Sequence, residues 1–263
     1  MPPAASNANS IHSTTSPLNW ISNKNTEVVF SCLRWSYAYP KPMAVNKKST
    51  LKAKYIDIRT KLNLVMDNLN EYFMETDYHD YSWPHDMNEI EEAPSFLFPD
   101  DDFEFAGRSG TEFFIGNVIF HGEDIDGNSF IDNYLNEHSV PKEDLPYYEA
   151  LKNSKATILA VKEIKKSSNQ IIMRDLLTDT LVTIIDTNLV KMDPYVLLDR
   201  VFGATVTSFD GISCLNTPTD LGRMNMRLHL FVVAHRNHRF SDGMLLFSCF
   251  YNRAADMTLR PAK

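Results

Sequence analysis

The sequence predicts an α+β chain, in which a helical and acidic N-terminal half packs on a small antiparallel β-barrel of SH3-like or OB-like type. Two patterns carry the prediction. One long apolar seam of helical period runs through residues 51–72, and five short β-branched runs lie between residues 156 and 216, separated by turn chemistry. Five strands at that spacing are too short to bury a face alone, and small barrels close such sets.

The elements follow in chain order. Residues 1–25 are polar and poor in large apolar groups, and read as a disordered tail. Residues 28–39 are apolar and aromatic, and Pro40 and Pro42 close them as a strand or short helix. Leu51, Tyr55, Ile58, Leu62, Val65, Leu69 and Tyr72 then recur at alternating steps of four and three. That is one face of a helix opened by Ser49 or Thr50 as N-cap, and Ile56, Leu64 and Met66 widen it beyond a coiled-coil seam. Residues 74–127 are acidic and aromatic with three prolines, and read as an irregular wrap holding a short strand or helix over 112–120. After Gly127, Ser129 and Asp132 have the spacing of a capping box, ahead of Phe130, Ile131, Tyr134, Leu135 and His138 on one helix face. Ser139 and Pro141 restart the chain into a third helix bearing Leu145, Tyr148 and Leu151.

From Ala156 the period changes to that of strands. The runs ATILAVKEI, QIIMRDLLT, TLVTIIDTN, PYVLLDRVFGATV and GISCLN are divided by Ser167 to Asn169, Thr178 to Thr180, Asn188 with Asp193-Pro194, and Asp210-Gly211. Ile158, Val161, Ile172, Leu176, Ile184 and Leu197 are the expected common core, and Arg174-Asp175 marks a hairpin. Residues 222–263 are rich in Met, Phe, His and Arg, and LHLFVVAH and MLLFSCFY read as strands around Ser241-Asp242-Gly243. The domain layout is thus a tail at 1–25, a helical and acidic region at 26–153, a barrel at 154–221 and a basic extension, β or irregular, at 222–263.

Charge is segregated along the chain. The net −8 is made of +6 over residues 1–70, −19 over 71–149, zero over 150–220 and +5 over 221–263. So strong an acidic centre repels nucleic acid or meets a basic partner, or is neutralised by the chain's own basic ends. No run of about 18 apolar residues is present for a membrane span, and the first 17 residues lack the basic and apolar regions of a secretory signal. Three distant cysteines fit free thiols in a reducing cytosol.

His229, His235 and His238 with Cys214 and Cys249 offer zinc-type donors, but without the paired spacing that brings four ligands together. Asp124-Ile125-Asp126-Gly127 mimics part of a calcium loop. With Gly127 in the glycine position, Gly122 and Asn133 fall where a carboxylate and a bidentate Glu are needed, so the segment reads as a turn and cap. Asp100, Asp101, Asp102 and Glu104 share one solvated environment, whereas catalytic carboxylate pairs need environments that split them. His79 and His85 bracket Asp80, Ser82, Trp83 and Asp86 without a strained nucleophile turn. Cys32 and Cys249 lie among apolar residues and read as inert core thiols. Nine glycines in 263 residues, and no GxxxxGK[ST], GxGxxG or HExxH, leave P-loop, dinucleotide-binding and zincin chemistry without their signatures. No catalytic, cofactor-binding or metal-binding residue is therefore assigned.

The lead PSFLFPDDDFEF, the helix GNSFIDNYLNEH, the segment SVPKEDLPYYEALKNS, the strand ATILAVKEI, the phrase MRDLLTDTLVTIID and the strand PYVLLDRVFG lie between about Phe96 and Leu221. Together they resemble a family of uncharacterised bacterial proteins often found with a SEC-C zinc motif, the RDLLT phrase at Arg174 to Thr178 being the most specific feature. The resemblance implies a helix pair followed by a small barrel, and no activity. No Cys-rich SEC-C motif follows here, so it implies no zinc-dependent targeting.

The expectation is a cytosolic, non-enzymatic protein-interaction module with an unknown protein partner, no cofactor and no membrane. The alternatives are nucleic-acid association through the barrel or basic tail, and a hydrolase using the acidic centre.

Overall fold

The computed structural model describes residues 51–76, Tyr81 and 108–258, with side chains over 115–251 of the last stretch. The chain divides into two units, Met1–Tyr37 and Ala38–Lys263, and every described residue belongs to the second. The tail at 1–25, the segment 28–39, Cys32, the patch residues His79, Asp80, Ser82, Trp83, His85 and Asp86, and the Asp100 to Glu104 run lie outside the described residues. No helix among the described residues is long and apolar enough to cross a membrane.

Four helices precede the sheet: α1 (Leu51–Glu75), α2 (Arg108–His121), α3 (Phe130–Glu137) and α4 (Leu145–Lys152). Most of the seam read from the sequence is the buried face of α1, where Tyr55, Ile58, Leu62, Val65, Leu69 and Tyr72 are covered, but Leu51 in the first turn and Leu64, expected to widen the stripe, are exposed. Its lower half packs in an aromatic cluster. Tyr72 lies 5.1 Å from Phe130 and 5.4 Å from Tyr134, ring centre to ring centre, Tyr81 covers Phe130 from 5.1 Å, and Tyr134 stacks on Tyr148. Burial there pushes the Tyr72 hydroxyl up to about 12. The capping box is present at α3: Ser129 Oγ accepts from the Asp132 amide at 3.1 Å, and Asp132 accepts from the Ser129 amide.

Five strands follow: β1 (Lys155–Lys165), β2 (Gln170–Asp175), β3 (Leu181–Ile185), β4 (Arg200–Phe209) and β5 (Ile212–Arg223). They run in the order β1-β2-β3-β5-β4, and β4 pairs back on β1, so the sheet is closed. All pairings are antiparallel except that of β3 with β5, which meet in parallel at Ile184 and Ser213. The sheet is therefore mixed, which corrects the antiparallel expectation, and the reason is parity: a ring with an odd number of strands cannot alternate direction all the way round. The hairpin at Arg174-Asp175 is present. The Asp175 amide donates to the Thr180 carbonyl, and Asp175 Oδ1 accepts from the Leu177 and Thr178 amides.

The run PYVLLDRVFGATV is divided. Its first residues form a short helix, α5 (Pro194–Leu197), capped by Asp193, whose carboxylate accepts from the Tyr195 amide, and the strand begins only at Arg200. The expected common core is divided too. Val161, Ile184 and Leu197 lie inside the ring with Leu159, Ile171, Met173 and Phe202. Ile158 and Leu176 lie in a second cluster outside it, and Ile172 is only half-buried. Ile158 and Val161 are three residues apart on one strand, and a side-chain period of two sends them to opposite faces.

The largest correction concerns residues 222–263, expected as β or irregular. Of these, the described residues from 226 on form two helices, α6 (Met226–His238) and α7 (Asp242–Thr258). Both put apolar faces on the outside of the sheet: Leu228, Phe231 and Val232 of α6 and Leu245, Leu246 and Cys249 of α7 join Ile158, Ala160 and Val201. Asp242, expected in a hairpin turn, opens α7, and its carboxylate accepts from the Ala156 amide at 2.9 Å, fixing the helix to β1.

Candidate interaction surface

The groups that could do chemistry are taken up by structure. His235 and Ser248 are buried between α6 and α7, with Nε2 2.8 Å from Oγ. Ser248 Oγ also lies 2.9 Å from the Leu245 carbonyl, to which its hydroxyl donates, so the imidazole N–H donates to serine, leaving Nδ1 as a bare acceptor without a partner. In that tautomer the ring cannot take the serine proton, so the pair is no activated nucleophile. Burial, and then His238, pushes His235 down to about 3. His238 stacks on Phe240 from 5.6 Å. Burial raises the Cys249 thiol well above its usual range, and raises Cys214 with partial relief from Arg59.

The Asp124 loop is a turn built on its own carboxylate. Oδ1 accepts from the amides of Asp126 and Asn128, and Oδ2 accepts from Asn133 Nδ2 at 2.8 Å. The Asn133 side chain, then the Asn128 amide, hold Asp124 down at about 2. Gly127 takes the positive φ the turn requires. Among the described residues no three His, Cys, Asp or Glu converge as a metal ion would need.

One constellation was not legible in the sequence: a polar seam on the outer face of β4 and β5. Thr207 Oγ1 lies 2.5 Å from Ser154 Oγ and accepts from Asn216 Nδ2, while Asn216 Oδ1 accepts from Arg59 of α1 at 2.7 Å. His121 of α2 reaches Thr205 at 3.1 Å. Thr205, Thr207 and Asn216 are buried, so the seam fixes the register of α1 and α2 on the sheet. Lys54 to Asp210 and Lys61 to Asp144 extend the docking of α1 at the rim.

What the fold leaves open is apolar surface at one end of the ring. Tyr195 is 84% exposed on α5, with Met192 and Val196 exposed beside it in sequence. Arg200 Nε donates to the Val196 carbonyl, Arg223 donates to the Tyr195 carbonyl at 2.8 Å, and Arg200 and Arg223 face each other across β4 and β5. This end therefore continues through exposed Met224 into α6, where Met226 is 73% and Leu230 49% exposed. On β1, β2 and the turn between them a second open area carries exposed Lys162, Lys165, Lys166 and Arg174, but Glu163 and Asp179 pair with Lys165 and Arg174.

No curated protein and no solved structure matches the chain. A family model described as a family of unknown function, DUF7986, matches residues 49–215, from just before α1 into β5. The match covers more than half of the sequence, taking in the docked helix, the capping-box helix and the RDLLT hairpin; the chain belongs to this family of unknown function.

Proposed function

We propose that the chain is a non-enzymatic, cytosolic protein-interaction module, built on a small barrel of OB-like kind and docking its partner at the open apolar end. The barrel reading is supported by strand order. Reading β4-β1-β2-β3 along the ring gives a Greek key, with β5 filling the gap, as in five-stranded Greek-key barrels. The single observation that carries the function is the exposure of Met192, Tyr195, Val196, Met224, Met226 and Leu230 on α5, on α6 and on the chain leading into α6. Exposed apolar surface rimmed by charge marks interaction sites, and aromatic and methionine side chains are enriched in them. The family the chain belongs to has no stated function, and the reading does not depend on it.

The test is affinity capture from the native host with full-length bait. Tyr195→Asp should abolish recovery of a partner that wild type retains, while Leu64→Asp on the far helix α1 should not. Equal recovery by all three baits would sink the reading.

A second reading, nucleic-acid association through the sheet face, draws on Lys162 and Lys166. A mobility-shift series in rising salt separates the two, since phosphate binding weakens steeply with salt.

A further inference from the structure

We infer that α2 is a two-position element, which slips on β5 between the arrangement seen and one in which the Asn117 amide bonds the β5 bulge. Two stability defects of different kinds meet at this contact. Asn117 is 2% exposed, and neither its Nδ2 nor its Oδ1 has a hydrogen-bond partner among the described residues. A buried amide with both functions idle is destabilising, and nearly all buried polar groups escape that state. Thr217 of β5 has a φ of 44°. That left-handed value is an outlier for a β-branched residue, and Pro218 after it presses the residue further toward extended backbone. Strained positions persist only where their surroundings hold them, and they gather at switch regions.

The two defects touch through one glycine. A Cβ at Gly116 would lie 2.7 Å from Thr217 Cγ2, so the threonine methyl fills the place a side chain would take. Gly116 directly precedes Asn117 on α2. On the sheet the ladder slips here: Asn216 faces Thr205 and Thr219 faces Gly203, leaving Thr217 and Pro218 opposite Ala204. That is a bulge, and a bulge leaves the peptide groups of its extra residue outside the ladder. The Asn117 side chain offers both a donor and an acceptor, which is what a peptide C=O and N–H require. In the second position α2 carries Asn117 over the bulge, and Thr217, its methyl released from Gly116, relaxes to extended backbone. Ile115, Val118, Ile119 and Phe120 are buried, so α2 stays on the sheet and moves within its contact, as packed helices do by about 1–2 Å. His121, which reaches Thr205 beside the bulge, marks the resting register. Neither Asn117 nor Thr217 belongs to the open end, so the slip stands whether or not a partner docks there.

The experiment is NMR relaxation dispersion and saturation transfer on the full chain, with labelled Ile and Val methyl groups. Ile115, Val118, Ile119 and the Thr217 amide should exchange with one shared rate constant, on the microsecond-to-millisecond scale, with a minor state of about 0.1–10%. Thr217→Gly accepts the left-handed φ without strain and should suppress the exchange. Asn117→Leu, similar in size and with nothing to satisfy, should suppress it too and raise the urea midpoint. Gly116→Ala closes the seat of the Thr217 methyl and should move the main resonances toward the minor-state shifts of wild type. A static α2 in wild type, exchange that neither Thr217→Gly nor Asn117→Leu alters, or Gly116→Ala shifts unrelated to the minor state overturns the inference. So does a lower urea midpoint for Asn117→Leu, which would show the amide already satisfied, by an internal water, in the resting arrangement.

Discussion

Gly203 of β4 sits under α7, and its replacement by alanine tests the packing of the C-terminal helices by sign alone. A Cβ at Gly203 would lie 2.6 Å from Cys249 Sγ and 2.7 Å from Cys249 Cβ. Carbon contacts are comfortable at about 3.5–4.0 Å, so α7 would have to withdraw by about an ångström along its contact with the sheet. Overpacking of that kind costs about 1–3 kcal/mol. If the last forty residues were instead strands or irregular chain leaving the outer face of β4 open, the same change would stabilise by about 0.5–1 kcal/mol, because glycine is an entropic liability in a strand. Urea denaturation followed by circular dichroism reads the difference, provided the m-value is unchanged. Adding Cys249→Ala to Gly203→Ala should recover part of the loss, since it removes the Sγ contact and leaves the Cβ contact. A Gly203→Ala variant as stable as wild type, or more so, refutes the placement of α7.

Other outcomes follow from single contacts. Ile184→Asp places a charge among the residues enclosed by the ring, where β3 pairs with β5, and should cost several kcal/mol, on the order of the domain's whole stability; a folded, cooperatively melting variant would count against the closed sheet. His235 is depressed from 6.5 to about 3, so below pH 6.5 the unfolded chain binds a proton that the folded chain refuses. Stability should therefore fall as pH drops from 6.5 toward 3, by up to about 1.4 kcal/mol per pH unit, and His235→Leu should flatten that slope in urea titrations at several pH values. Ser129→Ala removes the side-chain acceptor of the α3 cap and should cost about 1 kcal/mol; an unchanged urea midpoint would show the cap to be idle.

Elements whose local pattern and tertiary role agree were legible in the sequence. The α1 seam, the Ser129–Asp132 box and the β2–β3 hairpin each declare themselves within a few residues, because period, cap and turn are local physics. The last two helices were not. LHLFVVAH is apolar on both faces of a helix, so it has no period to betray one, and Asp242-Gly243 has turn chemistry whichever element follows. What decides α7 is distant: the Asp242 carboxylate binds the Ala156 amide, and Cys249 nests on Gly203. The polar seam was illegible for the same reason, since Arg59 and Asn216 meet only through the fold. The candidate surface was half legible. Its methionines and arginines stood out in composition, but which of them face outward depended on calling 226–238 a helix.

Amide hydrogen exchange on the full chain, alone and with the partner captured by wild-type bait, tests the open end as the interface most directly. New protection should appear over residues 189–200 and 224–233, with the α1 to α4 layer unchanged on its far side. Protection confined to the β2–β3 hairpin and the lysines of β1, with none at α5 or α6, would contradict it.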